Sequence, residues 1–295
     1  MVLAFITYLQ WNIIQIAIQE IKQSDSVYIW LAIGLYWLIL PITALSYRLL
    51  SDNRLNIRTT TLAQLAGSGP GRIVPGGLGR LSLSVLHLIK LGFSSAQAII
   101  VAVTSNVIGI TVNLCVLVVI VLFEPDIKSI IKSDTVIPSS IALVLMFLVL
   151  YSLFQWLMHA KRTRKSTIKL TRKWRIQLKS MINEPALLVK LVILALITLA
   201  GYVGILLLCS EALGVEITIS DAIIALSVGI FVGGILPTPG GVGGVEAGLA
   251  STLVVLGFPP TESTSIALLF RAITYWQPLI PGTIAYFYLR KQKLL

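Results

Sequence analysis

The sequence predicts an all-α integral membrane protein with about six spanning helices and two re-entrant hairpins of broken helix, arranged as an inverted repeat. Three observations lead there. Of the 295 residues, 56% are hydrophobic and 12% are charged, where an ordinary soluble domain carries about 25% charged residues. Several apolar runs reach the ~20 residues that a helix needs to cross a hydrocarbon core. Two further apolar regions are interrupted at their centres by clustered glycine and proline, and the two interruptions resemble each other. The mean hydropathy of +0.92 agrees with this class. The length would allow two soluble domains, but the apolar runs leave room only for a single polytopic membrane domain over residues 1–295.

The spanning runs fall near 1–20, 27–47, 96–123, 136–159, 186–209 and 263–289. The first is the weakest, because Asn12, Gln15 and Gln19 share one helical face; a packed polar face is the simpler reading of these three. Residues 59–94 and 222–258 are apolar but broken, the first at GSGPGRIVPGGLGR and the second at LPTPGGVGG. The pieces on either side (59–74 with 81–91, and 222–236 with 245–257) are too short to cross a bilayer. Broken backbone at membrane depth is tolerated where it is buried in protein or lines a wet cavity, so each region reads as a hairpin that enters and leaves on one side.

Charge orients the chain. The net charge is +11 and the sequence pI is about 9.8. Nine Lys/Arg lie between Lys161 and Lys179, which marks residues 160–185 as a cytoplasmic loop by the positive-inside rule. The basicity then reports topology and attraction to anionic lipid headgroups rather than nucleic-acid binding. With that loop inside, Arg48, Arg54 and Arg58 precede the first hairpin on the cytoplasmic side. Arg290, Lys291 and Lys293 follow the last span on the same side. The segments left outside hold only Lys22, Lys128 and Lys132 as basic residues. The expected location is the bacterial cytoplasmic (inner) membrane, multi-pass, with a cytoplasmic C-terminus. The opening residues lack the basic n-region and cleavage pattern of a signal peptide. Cys115 and Cys209 both sit in apolar runs and suggest neither a disulfide framework nor a metal site.

The two breaks also match in sequence. Pro75-Gly76-Gly77-Leu78-Gly79 corresponds to Pro239-Gly240-Gly241-Val242-Gly243 at an offset of 164, and Leu91-Gly92-Phe93 to Leu256-Gly257-Phe258 at an offset of 165. The repeat halves are then about 1–123 and about 136–290. On the topology above the first hairpin opens inside and the second outside, so the repeats are inverted. Broken helices in corresponding positions of two inverted halves point to a transporter's site near the midplane.

Ionisable residues inside a membrane are costly and mark function by default. Arg72 and Arg80 flank the first break. Glu246 opens the half-helix after the second, and Arg271 lies within the last span ahead of Pro278 and Pro281, which kink it. The hairpin residues Pro75, Gly76, Gly77, Gly79, Pro237, Pro239, Gly240, Gly241 and Gly243 permit tight turns and close approach. The half-helices after each break begin with free N–H groups and a positive dipole end, where a phosphate is stabilised, and arginine's planar fork suits phosphate oxygens. Arg72, Arg80 and Arg271 with Glu246 therefore form a candidate substrate-binding site for a phosphate or similar anion. Glu246 pairs with Arg271, or with Arg80 across the repeat. The simpler alternatives are a structural Glu246–Arg271 ion pair and an Arg72 that snorkels to the cytoplasmic interface. His87 reads as a helix-packing residue and Lys90 as a snorkelling one. No nucleotide-type Gly-rich loop and no metal-ligand cluster appears, so no cofactor and no metal is expected.

LPTPGGVGGVEAGL, then LGF, then ALLFRAITYW resembles the flippase-like transmembrane family that includes the membrane domain of lysylphosphatidylglycerol synthase/flippase proteins. The first break resembles that family's first half, and the likeness covers roughly residues 27–290. It implies a polytopic domain that moves an anionic or aminoacylated phospholipid headgroup between leaflets. By motif match Pro237, Pro239, Gly240, Gly241, Gly243, Glu246 and Arg271 carry over in the second half, and Pro75, Gly79 and Arg80 in the first. Asn106 stands where family members often carry an arginine. The sequence ends at Leu295 just past the last span, so the synthase domain that aminoacylates the lipid is expected to be absent and no enzyme activity is expected. Two other readings compete. A membrane-embedded lipid-phosphate enzyme, like a polyprenyl-diphosphate phosphatase, also uses re-entrant hairpins and arginines, but it needs a base or nucleophile beside them, and only Glu246 lies in the apolar core. A non-transporting membrane scaffold would leave the buried charges as a cost without use.

Overall fold

The computed structural model describes residues 15, 19–73, 78–123, 184–236 and 238–295. The expected span 136–159, nearly all of 1–20, the basic segment through residue 183, and Pro75, Gly76, Gly77 and Pro237 lie outside the described residues. Every regular element among the described residues is helical. In order they are α1 (Ser26–Leu50), α2 (Ile57–Gly67), a 3-10 turn (Pro70–Ile73), α3 (Leu78–Lys90), α4 (Ser95–Phe123), α5 (Pro185–Ala212), α6 (Ile219–Ile235), α7 (Gly244–Val255), α8 (Pro260–Arg271), a π turn (Ala272–Trp276) and α9 (Leu279–Lys291). The chain divides into two compact units, Met1–Asn113 with Lys190–Leu295, and Leu114–Val189. Of the second, the described part is the end of α4 and the start of α5.

Among the described residues α1, α4 and α5 are long and apolar enough to cross a membrane. Each is hydrophobic around most of its circumference, the pattern of a helix with protein on one side and hydrocarbon on the other. On α1 the buried residues Ala32, Tyr36, Ile39, Leu40, Ala44 and Tyr47 recur at helical spacing, while Val27, Trp30, Leu31 and Leu38 are exposed. Asp25 caps its N-terminus by accepting from the Val27 amide. The Asp25 amide itself donates to the last carbonyl of α5, on Ala212, at 2.9 Å, so α1 and α5 run antiparallel. Gly201 and Gly204 of α5 admit the Ile39 and Leu35 side chains of α1 between them.

The broken regions are helix–break–helix hairpins. In the first, α2 and α3 rise about 17 and 20 Å at ~1.5 Å per residue, well short of the ~30 Å hydrocarbon thickness. Asn56 caps α2 through the Arg58 amide, and Gly67 of α2 is in contact with Arg80 of α3. In the second, α6 starts with a reciprocal capping box between Thr218 and Asp221. Gly229 and Gly233 of α6, one turn apart, face Leu249 and Val245 of α7. A methyl on Gly248 would lie 2.8 Å from the Gly229 Cα. Such small-residue seams let helix backbones approach closely where no hydrophobic drive between helices exists.

The run 263–289 is interrupted at Pro278. It begins at Pro260 and resolves into α8, the π turn and α9. Pro278 is the physical reason for the break. It has no N–H to donate to the Thr274 carbonyl four residues earlier, and its ring collides with that carbonyl in the α register. The backbone widens instead, and the Gln277 amide reaches five residues back to Ala272 at 2.8 Å. Below the turn, α9 packs against the first hairpin at two glycines. A methyl on Gly69 would fall 2.5 Å from the Gly282 carbonyl carbon, and one on Gly282 would fall 2.5 Å from the Leu65 oxygen.

Candidate functional site

The π turn is where both hairpin breaks meet. Local π segments inside otherwise α-helical stretches occur often at functional sites, and this one lies one residue past Arg271. Tyr275, next to its end, is buried. Its hydroxyl donates to the Pro239 carbonyl at 3.4 Å, and its ring lies against Gly240, where a Cβ would fall 2.3 Å from the ring's Cε2. Gly240 also has φ of 60°. Both the conformation and the close approach require glycine there, which gives the Pro-Gly-Gly motif its physical meaning.

From the second hairpin, Glu246 enters three residues into α7. Its Oε2 accepts from the Gly243 amide at 2.9 Å, capping a helix whose first residue has no side chain with which to cap itself. Its Oε1 accepts from Arg271 Nε at 3.0 Å. Arg271 Nη2 donates further to the Gly240 carbonyl at 3.1 Å. The pair is nearly buried, with side-chain exposures of 9% for Arg271 and 16% for Glu246. Of the two pairings the sequence leaves open for Glu246, the structure has Arg271.

From the first hairpin, Arg72 in the 3-10 turn reaches across to the same π turn. Its two terminal nitrogens donate to the backbone carbonyls of Thr274 and Tyr275. Its guanidinium carbon lies 4.5 Å from the centre of the Tyr275 ring, and that of Arg271 lies 4.3 Å from the same centre. One aromatic ring thus serves two guanidiniums, a cation–π arrangement. Arg72 is half-buried, with both ends of its fork on protein carbonyls. Arg80, the third residue of α3, donates to the Gln64 side chain at 3.5 Å and has the phenol oxygens of Tyr36, Tyr47 and Tyr202 as its electrostatic neighbours. Arg72 lies within the field of both Arg80 and Arg271.

Three arginines and one carboxylate therefore share this region. Among the described residues Glu246–Arg271 is the salt bridge, so Arg72 and Arg80 are held by carbonyls, an amide and phenols with no carboxylate partner. Counted over the described residues, these four groups leave two positive charges without a carboxylate, and an anion would neutralise them.

Sequence reasoning brings Arg72, Glu246, Arg271, Pro239, Gly240 and Gly243 to this place, and the structure joins them. Gly241 has φ of 71° and sits against the Gly233 carbonyl, inside the second hairpin. Gly79 abuts Gly71 across the first break. Asn106 donates to its own helix at Ala102 and takes no part. Ser84 lies between Gln64 and the Arg80 carbonyl, and His87 holds the Leu294 carbonyl at 3.0 Å, far along α3 from the break. Tyr275 is the residue that sequence reasoning passes over. Its signal was its place four residues after Arg271, on the same helical face, and three before Pro278.

Comparison with known proteins adds a family. A model described as the lysylphosphatidylglycerol synthase TM region matches residues 2–282. A UPF0104 membrane protein of Methanothermobacter thermautotrophicus is 38% identical over 73 residues, a match that covers 25% of this chain and 22% of that protein. The match thus spans about a fifth of that relative's length.

Proposed function

The chain belongs to the lysylphosphatidylglycerol synthase transmembrane-region family, and from that premise we propose that it is a lipid flippase or transporter that moves an anionic or aminoacylated phospholipid headgroup between leaflets. The carrying observation is the meeting of two hairpin breaks at Tyr275, with three arginines against one carboxylate. A phosphate-bearing headgroup is the natural ligand of such a place. Arg72 and Arg80 supply charge-assisted donors for its oxygens, and Arg271 with Glu246 forms the opposite wall. Two buried oxygens, Thr238 Oγ1 inside the second hairpin's motif and Gln277 Oε1 directly after the π turn, have no partner among the described residues; they are suited to the hydroxyl or ammonium groups of a headgroup.

In this reading the hairpins re-enter the membrane from opposite sides as an inverted repeat. The α2, α3 and α7 helices, each too short to span, support the re-entrance. The site then sits near the midplane, and alternating access exposes it to either leaflet. Glu246, taken up by Arg271 and Gly243, is not placed as a general base, which favours transport over lipid-phosphate hydrolysis. Movement is downhill or ion-coupled, since the sequence carries no nucleotide-binding loop.

Native mass spectrometry of the purified protein, with phosphatidylglycerol competing against phosphatidylcholine, tests the site. Preferential retention of the anionic lipid, lost in Arg72→Gln and in Arg80→Gln, is the expected result. Equal retention of both lipids would overturn the headgroup assignment.

A further inference from the structure

Arg72 is held in a way that a ligand can undo. Its two terminal nitrogens sit on the carbonyls of Thr274 and Tyr275. Thr274 is the residue whose α-helical donor would be the amide of position 278, and position 278 is proline. The chain has removed the intrahelical partner of one carbonyl and supplied a guanidinium from the other hairpin in its place. An ordinary amide donor would satisfy that carbonyl permanently. A guanidinium would not, because phosphate oxygens are better partners for it than peptide carbonyls: ionised acceptors make bonds roughly twice as strong as neutral ones.

We infer that Pro278 makes Arg72 an exchangeable latch: the arginine is parked on the π turn while the site is empty and transfers to the phosphate of an arriving headgroup. This rests on the phospholipid reading above and adds the conformational step to it. When Arg72 transfers, Thr274 and Tyr275 lose their donors in a buried place. An orphaned buried carbonyl is costly, so the π turn repacks, and with it the hinge between α8 and α9. Headgroup arrival is thereby coupled to a change in the last helix, and the coupling is reciprocal: whatever satisfies the Thr274 carbonyl in another way frees Arg72 for the lipid. Pro278 is a positioning residue in this scheme. It touches no ligand and acts by what it withholds.

The test is a cycle of four full-length proteins in detergent micelles: wild type, Pro278→Ala, Arg72→Gln and the double variant. Thermal unfolding and the affinity for a short-chain phosphatidylglycerol are measured on each. Removing Arg72's charge is expected to lower the unfolding temperature clearly in the wild-type background and much less in Pro278→Ala, where the restored amide takes the Thr274 carbonyl. Pro278→Ala is expected to bind the lipid on the order of tenfold more tightly than wild type, the worth of about one hydrogen bond no longer broken on binding. That gain should vanish in the double variant. Should Pro278→Ala fail to fold, Pro278→Leu restores the same amide with more side chain to fill the ring's space. Additive unfolding effects, or a gain in affinity that survives Arg72→Gln, would overturn the latch. Coupled unfolding effects with no lipid bound by any variant would overturn the exchange by removing its ligand, and the phospholipid reading would fail first.

Discussion

The Glu246 carboxylate is divided between two duties, one oxygen at 3.0 Å from Arg271 Nε and the other at 2.9 Å from the Gly243 amide. It therefore caps α7 and fixes Arg271 at the π turn with the same group. Arg271 in turn spends a second nitrogen on the Gly240 carbonyl, so the pair ties the glycine motif of the second hairpin to the last helix.

Glu246→Gln keeps an acceptor for Gly243 but leaves Arg271 nearly buried without a counter-charge. Removing one partner of a buried pair costs about 3–5 kcal/mol, and a fall of that order in unfolding free energy is expected, read by thermal or denaturant unfolding in detergent. Arg271→Lys should not rescue the fold, because a single ammonium has no planar fork with which to meet a carboxylate and a carbonyl in different directions.

Tyr275 should separate its ring from its hydroxyl. Tyr275→Phe loses only a long hydrogen bond and should cost about 1 kcal/mol or less. Tyr275→Leu loses the surface that serves both Arg72 and Arg271, at ~0.5–2 kcal/mol for each cation–π contact, and the packing against Gly240 as well. Comparing the unfolding temperatures of the two variants checks this. Equal losses would mean that the hydroxyl, not the ring, organises the arginines.

The glycine crossing between the first hairpin and α9 should be intolerant. A methyl on Gly282 would meet the Leu65 oxygen at 2.5 Å and the Gly69 nitrogen at 2.6 Å, all backbone, whereas one on Gly34 would meet nothing within 4 Å. Gly282→Ala is therefore expected to destabilise by at least ~2 kcal/mol, and Gly34→Ala, in the interior of α1, to stabilise by about 0.5–1 kcal/mol. The two variants measured side by side give opposite signs if the crossing is as close as it stands.

The membrane class and the two helix breaks were legible because they rest on patterns local to the chain: apolar runs of bilayer length, and Gly/Pro clusters that no continuous helix survives. The choice of partner for Glu246 was not, because Arg80 and Arg271 are equally eligible until the helices are placed. Tyr275 was obscured for a related reason. An aromatic in an apolar helix looks like packing, and its service to two arginines depends on the π turn, which arises from Pro278 acting four residues upstream. The proline itself was read as a kink. The finer result, a widened turn whose free carbonyl recruits Arg72 from a residue about 200 positions away, needs the tertiary fold.

Movement of fluorescent phospholipids between the leaflets of reconstituted liposomes tests the central claim most directly. Phosphatidylglycerol, an aminoacylated phosphatidylglycerol and phosphatidylcholine are compared with wild type, Arg271→Ala and Glu246→Gln, each confirmed as folded before reconstitution. The expected result is headgroup-dependent movement by wild type, favouring the phosphate-bearing anionic or aminoacylated lipids, and its loss in both variants. Equal movement of every lipid, or headgroup-dependent movement that both variants retain, would contradict a transport site built on these arginines and their carboxylate.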